Sequence, residues 1–194
     1  MESSYDSGVV YKKLNLTSQE ILLLKSLEEF YHNNLCFELL IAIIDGTSII
    51  SRRTFEYFVT KYSINHNVSY ELEEKGSKYN FLVHSSYKDQ LKAHKKKYFD
   101  PFGRGDRIPF FANNDCVITT IGQLNFYRWF FTKKIYDYCL INYNTIQTEL
   151  LSNKNVKKRQ KSFNKKKSVC SKKQISYIKI ECSPDDSDII VLFE

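Results

Sequence analysis

The sequence predicts an α+β fold: N-terminal helices, two β-hairpins, a buried aromatic central helix and a C-terminal strand pair. Three observations carry this. Thr17-Ser18-Gln19-Glu20 and Thr120-Ile121-Gly122-Gln123 both read as capping boxes, each ahead of apolar residues at helical spacing. Two pairs of short segments alternate apolar and polar side chains across turn-prone residues. From Ile121 to about Tyr143 the helical pattern is apolar on nearly every side, which marks a helix surrounded by the rest of the protein. A hydrophobic fraction of 42%, with aromatics at 15%, excludes a disordered chain.

Taken in order, residues 1–16 read as an extended lead-in. Behind the first box, Ile21, Leu24, Leu27 and Tyr31 recur on one helical face, with a break expected near His32-Asn33-Asn34. Leu35 to Ile44 reads as a second helix stopped by Asp45-Gly46. Ser51 is placed to cap a third, Arg52 to Tyr62, with Phe55, Phe58, Val59 and Tyr62 on its apolar face. Val68–Glu73 and Tyr79–His84 form the first expected hairpin, across Glu74-Lys75-Gly76-Ser77. A helix follows from Ser85 or Ser86 to Lys97, closed before Asp100-Pro101 because the residue ahead of a proline is pushed out of helical geometry. Arg107–Ala112 and Cys116–Thr119 form the second hairpin, and Pro109, which cannot donate to a ladder, places its strand at an edge. The central helix carries Leu124, Tyr127, Phe131, Ile135 and Tyr138 as its main stripe and Asn125, Arg128 and Thr132 as its polar one. Ile175–Cys182 and Ile189–Phe193 make the last strand pair. The expected organisation is a globular body over 1–152, a basic linker or tail over 153–173, and the strand pair over 174–194.

Charge is placed unevenly. The chain has 29 Lys and Arg against 22 Asp and Glu. Ten of the basic residues fall within 154–173, which holds no acid, leaving 19 against 22 elsewhere, a net −3. Basicity is therefore a local device, and Lys157, Lys158, Arg159, Lys161, Lys165, Lys166 and Lys167 are its densest part. Lysines at this density accumulate along a phosphate backbone and release counterions; a solvated linker is the alternative. A milder excess lies from Lys88 to Arg107, where Lys95, Lys96, Lys97, Arg104 and Arg107 stand beside Tyr98, Phe99 and Phe102. Cations interleaved with rings suit a groove that neutralises a strand and stacks bases, although rings turned into the core would leave only solvated lysines.

Chemistry-bearing motifs are sparse. Gly103-Arg104-Gly105 lacks the Lys-Ser/Thr of a Walker loop and the third glycine of a dinucleotide fingerprint, so a tight turn explains it better. His32 and Cys36, four apart, could place two ligands on one helix face but have no second ligand pair, and no metal or cofactor is expected. His66, His84 and His94 stand in no nucleophile motif and no carboxylate pair stands out, so no enzyme is expected. Five scattered cysteines without a CxxC fit reduced thiols. The N-terminus lacks a signal-peptide pattern, and the longest apolar run, Leu35 to Ile44, is too short to span a bilayer.

Four segments together resemble a family of uncharacterised proteins of nucleocytoplasmic large DNA viruses, the giant viruses. They are Ser48–Tyr62 (SIISRRTFEYFVTKY), Ser86–Ala93 (SYKDQLKA), Lys97–Ile108 (KYFDPFGRGDRI) and Thr119–Trp129 (TTIGQLNFYRW). The similarity spans roughly Ile49 to Ile180. It departs from the family pattern at Gly103 and Gly105, where relatives tend to carry a cysteine and an arginine, which implies a weakened thiol or basic cluster in this copy. The resemblance implies a viral protein of the infected cell (cytoplasm, virus factory or nucleus) or of the virion, not secreted, and brings no activity with it. The residues point to non-specific nucleic-acid binding, DNA ahead of RNA, through the tail and the Lys95–Arg107 patch. The alternative is a structural or adaptor protein that grips other viral proteins; no membrane partner is expected.

Overall fold

The computed structural model describes Tyr11 and residues 14–32, 36–113 and 115–153. The chain divides after Leu150, and all described residues except 151–153 belong to the first unit. The basic run from Lys154 and the expected strand pair at 175–193 lie outside the described residues.

Helix α1, Ser18–His32, starts with the predicted box: Thr17 N–H donates to Glu20 Oε2 at 2.8 Å and Glu20 N–H to Thr17 Oγ1 at 3.3 Å. It buries Leu24, Leu27 and Tyr31, and the Tyr31 hydroxyl donates to the Leu124 carbonyl at 2.8 Å. Helix α2, Cys36–Asp45, buries Phe37, Leu40 and Ile43 and ends at Gly46 with φ +82°. Helix α3 begins at Arg52–Tyr57 under the predicted cap, Ser51 Oγ accepting from Thr54 N–H at 3.2 Å. It then passes through a π turn, Phe58–Tyr62, and closes over Ser63–Asn65, so it outruns its expected end at Tyr62. The inserted turn keeps Phe58, Val59 and Tyr62 all buried.

Strands β1, Ser69–Glu74, and β2, Ser77–Leu82, pair antiparallel with Glu74 opposite Ser77. The turn is shorter than expected: two residues, Lys75 and Gly76, both at positive φ (52° and 76°), the geometry that matches strand twist in a tight hairpin. The next helix also shifts. Helix α4 runs Val83–His94 and stops short of Lys97, because Lys95 takes φ +59° and Lys96–Tyr98 tighten into a 3-10 turn. Strands β3, Ile108–Ala112, and β4, Asp115–Thr119, form a second two-stranded sheet with Pro109 opposite Ile118.

The expected helix from Ile121 to Tyr143 is in fact three pieces. Helix α5 covers Ile121–Thr132, Lys134 enters the left-handed region at φ +53°, helix α6 covers Ile135–Ile141, and residues 143–153 are helical again as α7. The break turns the apolar stripe as well as the chain, so Ile135 and Cys139 remain fully buried. Only half of the second capping box forms. Gln123 N–H donates to Thr120 Oγ1 at 3.1 Å, but the Gln123 side chain turns to the Pro101 carbonyl (3.0 Å) and the Thr119 hydroxyl (3.0 Å).

Helix α5 is the core of the body. Leu124, Phe126, Tyr127 and Phe130 have no exposed surface, and Phe99 and Phe55 meet them from other elements with ring centroids 5.2 Å (Phe99–Phe126) and 4.7 Å (Phe55–Phe130) apart. Burying each such ring stabilises by roughly 1.5–3 kcal/mol. One member of the expected polar stripe of α5 is drawn inward: Asn125 is 2% exposed and its amide donates to the Tyr98 carbonyl at 2.9 Å, while Arg128 is half-buried and Thr132 exposed.

Candidate nucleic-acid interface

The Lys95–Arg107 segment is held against α5 by its backbone. Asp100 N–H donates to the Gly122 carbonyl at 3.1 Å, and a Cβ at Gly122 would stand 2.6 Å from the Lys97 carbonyl oxygen, so only glycine permits this approach. Phe99 is buried among Tyr87, Phe126 and Trp129. Its ring is therefore a core anchor.

Two of the five predicted cations here already have anions. The Lys97 ammonium lies 2.9 Å from Glu20 Oε1, and Glu20 also accepts from Thr17 and from the Tyr98 hydroxyl at 3.1 Å. The Lys97 ammonium and then the Thr17 N–H hold the Glu20 carboxyl down to about 2. Arg104 makes a fork on Asp100, with Nη2 at 3.1 Å and Nε at 3.3 Å, while its own N–H donates to the same carboxylate. That contact and Gly103, at φ +61°, make Gly103-Arg104-Gly105 a tight turn shaped by Asp100. Lys95 and Lys96 are exposed and have no ion pair among the described residues.

Arg107 behaves differently. It is exposed, and it lines a cleft of about 600 Å³ together with Arg52 and Arg53 from the first turn of α3. No ion pair involving these three arginines occurs among the described residues. Phe102 and Tyr143 contribute half-buried rings to the cleft, and Ser48 also lines it, its buried Oγ without a hydrogen-bond partner among the described residues. Gln147 forms another part of the wall, fixed by the Thr54 hydroxyl donating to its Oε1 at 3.2 Å. Beneath, burial pushes the Tyr127 phenol up while the Arg52 charge opposes it.

The position of Arg52 and Arg53 is costly for the helix. The first turn of α3 carries the positive end of the helix dipole, where cations are disfavoured by roughly 0.3–1 kcal/mol each. Arg52, Arg53 and Arg107 thus all add positive potential at one recess, and the first turn of α3 forms part of its wall. An anion placed there is favoured by that charge.

Of the predicted site residues, the fold brings Arg107 to this recess, engages Lys97 and Arg104 with acids, and leaves Lys95 and Lys96 on the surface. Lys157, Lys158, Arg159, Lys161, Lys165, Lys166 and Lys167 lie outside the described residues. Arg52 and Arg53 were not expected from charge counting. The local signal was available: adjacent arginines directly after a capping serine oppose the helix they start.

Comparison with known proteins agrees with the resemblance seen in the segments. A protein of Acanthamoeba polyphaga mimivirus described as uncharacterised (L507) is 34% identical over 155 residues, covering 75% of this chain. The match covers 60% of that relative's own length. No solved structure matches the chain significantly. The similarity to the mimivirus protein sets this chain among the uncharacterised proteins of giant viruses, and the profile of a family of unknown function, DUF7197, matches residues 5–192, so the chain belongs to that family.

Proposed function

We propose that this protein binds nucleic acid through its phosphates, without strong sequence preference and without catalysing a reaction, in a cell infected by the virus. The observation that carries this is the recess of three arginines without ion pairs among the described residues, Arg52, Arg53 and Arg107, two of them set against the stability of their own helix. The lysine-rich stretch 154–173, with ten cations and no acid, adds charge in the same sense. Arginine suits phosphate better than lysine because its planar fork engages two oxygens at once. DNA is placed ahead of RNA as the natural ligand of a DNA-virus protein.

The test is binding of a labelled oligonucleotide by the full chain, by Arg53→Gln/Arg107→Gln and by a variant with the 154–173 cations replaced by serine. Each phosphate contact contributes a slope of roughly −0.7 to −0.9 in log K against log salt. The double arginine variant should bind more weakly and lose about 1.5 from that slope. Unchanged affinity and slope in both variants would reject the proposal.

A second reading has its own observation. Leu22 is 72% exposed and Ile21 40% exposed on α1, beside a groove of about 420 Å³ that Leu22, Leu23, Ala93 and Tyr98 help to line. An adaptor that grips another protein would use such a surface. That reading requires Leu22→Asp to abolish a concentration-dependent association seen by sedimentation, with oligonucleotide binding untouched.

A further inference from the structure

The arginine recess is concave and partly walled by rings, and both properties constrain what it accepts. A duplex presents phosphates on a convex cylinder with its base faces stacked inside, so it can touch arginines on a rim but cannot offer a base face to a recessed ring. An unpaired strand can turn a base out of line and stack it on an aromatic side chain while its phosphates meet nearby cations. In the recess, Phe102 and Tyr143 stand with Arg52, Arg53 and Arg107 around about 600 Å³, within the roughly 300–1,000 Å³ typical of sites for small organic groups.

Polar side chains stand at the same place. Ser48 lines the recess, and its Oγ has no hydrogen-bond partner among the described residues. Gln147 spends its Oε1 on the Thr54 hydroxyl, which leaves its amide nitrogen as a donor. The Arg104 guanidinium lies 5.2 Å from the Phe102 ring centroid, so one face of that ring is already covered and a base would stack on its other face or on Tyr143. A site meant only for phosphates needs no rings in its wall.

We propose that the recess between α3, the segment before β3 and α7 is a site for one unpaired nucleotide of a single strand, with Arg52, Arg53 and Arg107 on its phosphates and Tyr143 or Phe102 stacked on its base. This rests on the nucleic-acid reading above and narrows it to single strands.

The experiment is fluorescence anisotropy with the full chain and three labelled probes of about 20 nucleotides: oligo-dT, oligo-rU and a mixed-sequence DNA duplex, each at about 50 and about 200 mM salt. At least one single strand should bind about tenfold or more tightly than the duplex, and the dT-to-rU ratio assigns the sugar. Tyr143→Leu should weaken single-strand binding about fivefold or more with an unchanged salt slope, as expected for one lost stacking contact, and leave duplex binding as it was. Tyr143→Phe should restore the single-strand affinity, and Phe102→Leu provides the same measurement from the other ring. Circular dichroism verifies that each variant is folded. Equal binding of strand and duplex, or full single-strand affinity in both ring-to-leucine variants, overturns the single-strand site while leaving phosphate binding intact. Binding of none of the probes at the lower salt overturns the nucleic-acid reading itself.

Discussion

The turn from Lys97 to Arg104 and the recess at Arg52, Arg53 and Arg107 both carry cations, yet they do opposite things with them. In the loop, Lys97 closes on a nearly buried Glu20 and Arg104 on Asp100, so charge is used to shape a turn and fasten it to α1. In the recess, three arginines line one space with no ion pair among the described residues. Density of positive charge along a sequence is thus a poor guide to charge available for a partner. Pairing decides, and pairing is a property of the fold.

If the contrast is right, loop variants should lose stability and recess variants should lose binding. The largest effect is expected at Gly122. Its replacement by alanine drives a methyl group to 2.6 Å from the Lys97 carbonyl, and overpacking against backbone costs roughly 1–3 kcal/mol, more than the ~1 kcal/mol that alanine returns in helix preference. Thermal unfolding should show a clear drop in Tm; an unchanged Tm would mean the loop is not seated on α5.

Next comes acid sensitivity. The Glu20 carboxyl titrates near 2 when folded, below its ordinary value of 4.5, so its contribution is complete above that ordinary value and is lost as pH falls from there toward 2. Denaturant titrations across this window should show stability decreasing with acid in the parent protein. Glu20→Gln should be less stable at neutral pH and have a flatter profile in that window.

Smaller, and opposite in sign, is the effect of neutralising the first turn of α3. Arg52→Gln and Arg53→Gln should each raise stability by a few tenths of a kcal/mol, by relieving the helix dipole, while weakening oligonucleotide binding. A gain in one property with a loss in the other would separate the recess from the loop most sharply. Arg104→Gln should change binding least: its pair with Asp100, exposed on the arginine side, contributes roughly 0.2–1 kcal/mol to stability, and its loss should leave the salt slope of binding nearly unchanged.

Much of the fold could be read from local signals. The Thr17 and Ser51 caps, both hairpins and the buried stripe of α5 follow from residues close together in the chain. What escaped has a different origin. Nothing near Lys134 resembles a helix stop, since neither glycine nor proline is present; the left-handed residue there is imposed by where Ile135 and Cys139 must pack. The π turn at Phe58–Tyr62 is a similar tertiary adjustment. In the second box, Gln123 is drawn away by the Pro101 carbonyl, a partner 22 positions back. The candidate site was legible only in part because its arginines lie far apart in sequence and its competing acids are equally remote: Glu20 meets Lys97 only once α1 and the loop have come together.

Trp129, the sole tryptophan of the chain, has a practical consequence. Its indole N–H donates to Ser86 Oγ at 3.0 Å, and its ring is wedged beside Tyr87, Phe99 and Phe126, at 5% exposure. It does not line the arginine recess. The molecule therefore carries an internal optical gauge, set apart from the recess, whose emission registers loosening of the aromatic interior, so unfolding is followed by tryptophan emission while a labelled oligonucleotide reports on binding.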